Sequence, residues 1–254
     1  MLTAVTREVS PGLARCELTH FERRPFDLKA AIRQHRAYCQ CLAKLGCRLI
    51  TLPAEPDLPD SVFVEDAAVV LDELAVITRP GAESRRGEIA SIEKALTVFR
   101  PIERIEPPAT LDGGDVLHVG STLYVGLTSR TNRDGVAQLR KIVQPHGYRV
   151  ESVAVTGCLH LKSACTFVGE DTLLINRYWV DEERFDNWNL LDIDPAEPAA
   201  ANALLVGETV VYPDAYPKTR RLLADFGFAV HTVDNTELAK AEGGVTCCSL
   251  IFSA

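Results

Sequence analysis

Cys165-Thr-Phe-Val-Gly-Glu-Asp-Thr-Leu-Leu-Ile175 is two short β-rich runs around a tight Gly-Glu-Asp turn, the signature of a β-hairpin. The same arrangement occurs in Ala68-Val-Val-Leu-Asp-Glu-Leu-Ala-Val-Ile-Thr78, in Val116-Leu-His-Val-Gly-Ser-Thr-Leu-Tyr-Val-Gly126 and in Ala203-Leu-Leu-Val-Gly-Glu-Thr-Val-Val-Tyr212. Identities are few, but turn and strands keep one register throughout. Working outward, apolar residues at helical spacing fill Glu88–Phe99, Arg133–Val143 and Lys218–Phe226, and also Leu28–Leu45 near the amino terminus. A short strand follows these helices, at Arg48–Leu52, Arg104–Glu106, Arg149–Val155 and Ala229–Val233. The unit is therefore strand, strand, helix, strand, roughly 50 residues to a turn of the cycle.

A fifth unit arises if Ser249–Ser253 pairs with Leu2–Thr6 and runs on into the Leu28 helix. Joining the two ends closes a ring and removes the exposed strand edges of an open array. The repeat thus predicts an α/β fold, a five-unit pseudo-symmetric ββαβ ring in a single domain over residues 1–254. An ordinary α/β sandwich with look-alike hairpins is the alternative the repeat leaves open.

Composition bounds the function. The 254 residues are 46% hydrophobic and carry a net charge of 27 − 35 = −8, which argues against a nucleic-acid or anionic-membrane surface. No apolar run approaches the ~18 residues needed to cross a bilayer. The start, Met-Leu-Thr-Ala-Val-Thr-Arg-Glu, has no basic head before an apolar stretch, so no signal peptide is read there. None of the eight cysteines forms a C-x-x-C pair, and reduced thiols in a cytoplasmic enzyme are the expectation.

The chemistry is concentrated in the connections that lead from one unit into the next hairpin. They are Pro59–Asp66, Thr110–Asp115, Leu159–Ser163, Ala200–Asn202 and Glu242–Cys248. In a closed ring they converge on one end of the axis and bring together carboxylates, His160 and a cysteine that are far apart in sequence. Taken singly each is weak: a lone histidine is usually structural, and Asp112-Gly-Gly-Asp115 also reads as a plain turn. At equivalent repeat positions they read as a pocket. A cysteine beside a histidine is an activated nucleophile. Alternation along a strand lets only one of Cys247 and Cys248 face the pocket, and Cys247 is the nearer to the Gly243-Gly244 turn. Four acids around an anionic nucleophile make sense for a cationic, planar electrophile rich in N–H groups. A guanidinium, which pairs with carboxylates in bidentate fashion, fits. Cys247 with His160 is also a competent pair of zinc ligands; with only two in view, such a metal reads as an inhibitor and none is assigned.

The strings Asp60-Ser-Val-Phe-Val-Glu-Asp66, Ile77-Thr-Arg-Pro-Gly-Ala-Glu-Ser-Arg-Arg-Gly-Glu88, Leu111-Asp-Gly-Gly-Asp115, Arg130-Thr-Asn132, Leu159-His-Leu-Lys162 and Thr246-Cys-Cys-Ser249 occur in this order over nearly the whole chain. Together they resemble the dimethylarginine dimethylaminohydrolase family of the guanidine-modifying superfamily. The resemblance implies a five-bladed ββαβ propeller (pentein). It also implies hydrolysis of asymmetric dimethylarginine and monomethylarginine to citrulline and dimethylamine or methylamine, with no required cofactor. By matching motif, Cys247 would be the nucleophile, His160 the general acid and then base, and Asp112 the residue orienting the histidine and helping to hold substrate. Glu65 and Asp66 would grip the guanidinium, and Arg85 and Arg130 would clamp the substrate carboxylate. Asp60 and Leu18 would lie near its α-amino group, and Phe63 along its methylenes. Leu18 falls in Ala14–Phe26, which resembles the family's mobile lid. Arg85 also reads as a helix-start residue balancing Glu83 and Glu88. The expected partner is a small-molecule substrate, for a monomer or homodimer that engages neither nucleic acid nor membrane. Arginine deimination, turnover of another guanidino compound, and a non-catalytic guanidino-binding scaffold are the other readings.

Overall fold

The computed structural model describes residues 1–254, and its fifteen strands form five three-stranded sheets. Strand β1 (Leu2–Arg7) leads through helix α1 (Leu28–Lys44) to β2 (Arg48–Leu52). The next blade is β3 (Ala68–Val70), β4 (Ala75–Ile77), α2 (Ile89–Leu96) and β5 (Ile102–Arg104). Then come β6 (Val116–Val119), β7 (Thr122–Leu127), α3 (Arg133–Val143) and β8 (Arg149–Ala154). The short helix α4 (Leu161–Ala164) precedes β9 (Cys165–Gly169), β10 (Thr172–Ile175) and β11 (Asn189–Asp192). The chain continues with β12 (Leu204–Val206), β13 (Thr209–Pro213), α5 (Pro217–Phe226) and β14 (Ala229–Val233), and ends with α6 (Thr236–Ala239) and β15 (Leu250–Ser253).

Each blade repeats one pattern: an antiparallel hairpin whose second strand also pairs in parallel with a third. The parallel step needs a crossover, and a helix supplies it in four of the five blades. The closing blade has the order β15-β1-β2, with Leu2 opposite Ser253 and Val5 opposite Leu250, so the two ends of the chain complete the ring.

Packing shows why the ring must close. The apolar core is divided into five clusters, and each lies between two neighbouring blades rather than within one. Five blades have five junctions only in a ring; an open array has four. The middle strand of each blade serves both sides by alternation. On β10, Leu173 and Ile175 join the cluster with the β6–β7 blade, while Leu174 joins the one with the β12–β13 blade. On β7, Leu123 and Val125 face one neighbour and Tyr124 the other. A strand buried on both faces reads as a continuous apolar run, which is how these segments look in the sequence.

Two elements depart from the expected pattern. The strand expected at Arg104–Glu106 lies two residues earlier, at Ile102–Arg104, in parallel register with Ala75–Ile77. The blade of β9–β11 has a 3-10 turn, Glu182–Phe185, where the others have a helix. There Phe185, Trp179 and Trp188 pack on the sheet in place of a helix face. Its third strand, β11, was not recognised, because two leucines between Asn189 and Asp192 carry little periodicity. No helix is long and apolar enough to cross a membrane.

Candidate active site

Three of the five connections, Pro59–Asp66, Leu159–Ser163 and Glu242–Cys248, line one cavity, and the other two back it through Asp112 on His160 and Asn202 on Thr246. Asp60, Phe63, Asp66, Arg85, Arg130, His160 and Cys247 line one narrow cavity of about 290 Å³, together with Glu17, Leu159, Ala241, Glu242 and Gly243.

His160 is the N-cap of α4, in extended backbone. Its Nε2 is 3.0 Å from Asp112 Oδ2, and Nδ1 lies 3.9 Å from Asp66 Oδ1 without forming a hydrogen bond. Asp112 is fully buried; its Oδ1 accepts from the Gly81 N–H (2.8 Å) and its own N–H donates to Thr131 Oγ1. Close approach is possible because residue 114 is glycine: a Cβ there would lie 2.6 Å from His160 Nδ1 and 2.8 Å from Asp66 Oδ1. Burial by itself would lower the His160 pKa, but Asp66, Asp115 and Asp112 outweigh it and raise the value to about 9. The resting residue at neutral pH is therefore an imidazolium. Burial opposes ionisation of Asp66, yet His160, Arg85 and the Gly114 N–H hold its carboxyl well below the usual range. Oxygens of Asp66 and Asp112 and a nitrogen of His160 lie within 4.8 Å of one another. The ion pairs of His160 with Asp112 and of Arg85 with Asp66 account for the grouping.

Cys247 is 9% exposed and faces the cavity, whereas Cys248 is 2% exposed and turns its thiol toward the Gly244 carbonyl. The stretch is a turn and not the expected strand, which begins only at Leu250. Turn geometry, then, and not strand alternation, separates the two thiols. The Gly244 N–H donates to Cys247 Sγ at 3.3 Å. Burial, with Glu65 and Asp66 adding, nevertheless pushes the Cys247 thiol up to about 12. The free protein thus pairs a neutral thiol with a charged imidazole.

The other motif residues divide by what they touch. Arg85 is buried, with its guanidinium engaged by Asp66 (2.6 Å), by both oxygens of Glu88 and by the Phe63 carbonyl. Arg130 is 6% exposed and donates through Nη2 to Thr19 Oγ1, while its buried Nη1 has no partner. An unsatisfied buried guanidinium nitrogen on a cavity wall is suited to an anion. Asp60 accepts from the Glu17 N–H, and burial raises its pKa. Glu65 lies outside this cavity: its oxygens are taken by Lys162 and by Thr246 Oγ1, and with those two residues it lines a separate one. Leu18 is half-buried in the Ala14–Phe26 segment and packs on the cluster beneath α1, not on the cavity wall.

Three supporting residues had no assigned role. Asp115 accepts from the Leu161 N–H and from the hydroxyls of Thr128 and Thr131, fixing the helix that presents His160; burial raises its pKa to about 6. Asn202 clasps the turn that holds Cys247, donating to Thr246 Oγ1 and the Lys162 carbonyl and accepting from the Thr246 N–H. Glu242 lines the cavity. Asp115 and Asn202 sit in the converging connections, which was the one available signal; their bonding was not readable.

The chain matches the family model described as arginine deiminase over residues 55–200. It is 43% identical over 248 residues to N(G),N(G)-dimethylarginine dimethylaminohydrolase of Streptomyces coelicolor, covering 97% of this chain and 95% of that one. It is 40% identical over 228 residues to the protein of the same name from Pseudomonas aeruginosa, covering 89% and 90%. The solved structure of a cysteine-to-serine mutant of the Pseudomonas aeruginosa protein with citrulline superposes with a TM-score of 0.94 at 36% identity, covering 99% and 100%. That of a dimethylarginine dimethylaminohydrolase histidine-to-glycine adduct with S-methyl-L-thiocitrulline gives 0.93, also at 36% identity, with the same coverage. On these likenesses, the ring is that of a known group of hydrolases, and the chain belongs to the dimethylarginine dimethylaminohydrolase family.

Proposed function

We propose that residues 1–254 act as one catalytic unit that hydrolyses asymmetric dimethylarginine and monomethylarginine to citrulline and the corresponding amine, with Cys247 as the nucleophile. The observation that carries this reading is that Cys247, His160 and Asp66 line one cavity with His160 held on Asp112, where burial raises the thiol pKa and the carboxylates raise that of the imidazole. A thiol at about 12 is a poor nucleophile until a cation arrives. The substrate guanidinium is that cation. Bound against Asp66, it compensates the thiolate charge, and the thiol proton leaves to solvent.

The Cys247 thiolate then adds to the central guanidinium carbon. His160, through Nδ1, the nitrogen not committed to Asp112, protonates the amine nitrogen, which cannot depart as an anion. The C–N bond breaks, amine leaves, and a thiouronium links Cys247 to the rest of the substrate. Neutral His160 next takes a proton from water, the hydroxide adds to the same carbon, and the C–S bond breaks to return the thiolate. The added hydroxyl gives up its proton to solvent, and the carbon ends as a ureido group. Asp112 acts through His160, holding its orientation and its charge. Arg130 Nη1 supports a carboxylate subsite, with Arg85 behind it, and Asp60 supports an α-amino subsite. Phe63 offers an apolar wall to the methylenes. Glu65 holds Thr246, and so the nucleophile turn, from the far side. Eight unpaired thiols support a reducing, cytoplasmic setting.

The arginine deiminase family match favours plain arginine as a second reading, with the same steps and ammonia as leaving group. Citrulline release from purified protein, with dimethylarginine, monomethylarginine and arginine offered separately and Cys247→Ser as control, distinguishes them. Turnover of the methylated substrates in preference to arginine is expected. Arginine as the best substrate would establish the second reading, and no citrulline from any of the three would refute both.

A further inference from the structure

Glu242 forms no ion pair, yet its carboxylate is fully engaged. Oε1 accepts from the backbone N–H groups of His20 (2.6 Å), Phe21 (2.7 Å) and Thr19 (3.2 Å), and Oε2 accepts from Thr19 (3.1 Å). Three consecutive amides of the Ala14–Phe26 segment thus converge on one side chain from the far end of the sequence. The residue holds φ at +60°, a backbone state that side-chain-bearing residues rarely adopt. It lines both the narrow catalytic cavity and a broader one of about 640 Å³ lined by His20, Phe21, Trp179 and Tyr216. Glu242 therefore stands on the wall between the two.

The segment is stiffened from within by Arg23, which donates to the carbonyls of Ala14 and Cys16. Three other ties hold it over the cavity: the Glu17 N–H to Asp60 Oδ2, Arg130 Nη2 to Thr19 Oγ1, and Ser84 Oγ to Glu17 Oε1. The first uses Asp60, assigned above to the α-amino subsite, and the second uses the guanidinium whose free Nη1 is assigned to the carboxylate, so arriving substrate competes with the segment for both side chains. The Glu242 bonds face no such competition.

We propose that Glu242 is a positioning residue, a latch whose carboxylate keeps residues 19–21 closed over the catalytic cavity when substrate has taken Asp60 and Arg130. The competition argument rests on the proposed function; the latch itself does not.

Hydrogen exchange at the amides of residues 19–21 tests it on the substrate-free protein, for wild type, Glu242→Gln and Glu242→Asp. The glutamine keeps the size but loses the charge and turns an NH2 group toward donors, and exchange is expected to quicken about tenfold, the worth of one charge-assisted bond. In turnover the same variant is expected to raise KM about tenfold while kcat falls less than about threefold, because Glu242 touches neither Cys247 nor His160. Glu242→Asp keeps the charge one methylene short of its donors and is expected to quicken exchange as well. Wild-type exchange in folded Glu242→Gln would overturn the latch. So would wild-type exchange in Glu242→Asp, or a loss confined to kcat, which would place Glu242 in the chemical step. The exchange measurement needs no substrate, so a wrong substrate assignment and a wrong latch give different failures.

Discussion

His160 is charged by three surrounding carboxylates, Asp66, Asp115 and Asp112, and its charge state can be followed. Its raised value adds stability that is complete below the ordinary 6.5 and is lost as pH climbs through about 9. Tm is expected to fall across that window, and His160→Gln to flatten the fall; an unchanged slope would show that the imidazolium is not held by Asp66 and Asp112. The same deprotonation removes the proton that the proposed mechanism assigns to the leaving amine, so kcat/KM is expected to decline above about pH 9. Asp112→Asn removes one of the charges that hold the proton, and the declining limb should shift to lower pH with kcat down roughly ten- to a hundredfold. A limb that stays in place would count against Asp112 acting through His160. Cys248→Ser is expected to retain most activity, since Cys248 lies behind the turn with its thiol on a backbone carbonyl. At this scale the residue types and their convergence were legible, because Asp112, His160 and Cys247 fall at equivalent repeat positions. The division of labour among the charges was not. That Glu65 answers Lys162 across the axis, and that Arg85 is wrapped by Asp66 and Glu88, follows from side-chain directions that spacing does not encode.

Among elements, the middle strands hold the ring together. Leu174 on β10 is fully buried at one blade junction while its neighbours Leu173 and Ile175 serve the other. Leu174→Ala should cost about 2–5 kcal/mol in denaturant unfolding, and a loss under about 1 kcal/mol would mean that the junction tolerates a cavity. Helix boundaries follow local chemistry. The Asp27 side chain caps α1 through the Ala30 N–H, Asn132 caps α3 through the Gly135 N–H, and Pro217 opens α5. The helices were readable from their apolar spacing, which is sequence-local in the same way. Strand β11 and the 3-10 turn before it owe their form to tertiary packing of Phe185 and Trp188, and nothing local announced them.

The whole molecule closes on itself through β15 and β1, and the Ala254 N–H donates to the Met1 carbonyl. The ends are therefore adjacent. A circular permutant that links them with a short flexible segment and reopens the chain at Gly207, in the β12–β13 turn, should fold and keep the cavity, because the cut crosses no core strand. Loss of cooperative unfolding in that permutant would contradict a ring whose blades are equivalent. Closure was legible from four like hairpins and a matching pair of terminal strands. The open sandwich alternative fails because the core has five junctions.

A covalent bond from Cys247 to the guanidinium carbon is detectable by intact-mass spectrometry of acid-quenched protein. Wild type and His160→Gly would be mixed with asymmetric dimethylarginine, quenched during turnover and digested to locate any adduct. The expected result is a mass gain equal to the substrate less dimethylamine, on the peptide holding Cys247, enriched in His160→Gly and absent from Cys247→Ser. Citrulline formed by wild type with no adduct in either protein, or an adduct that persists in Cys247→Ser, would contradict it.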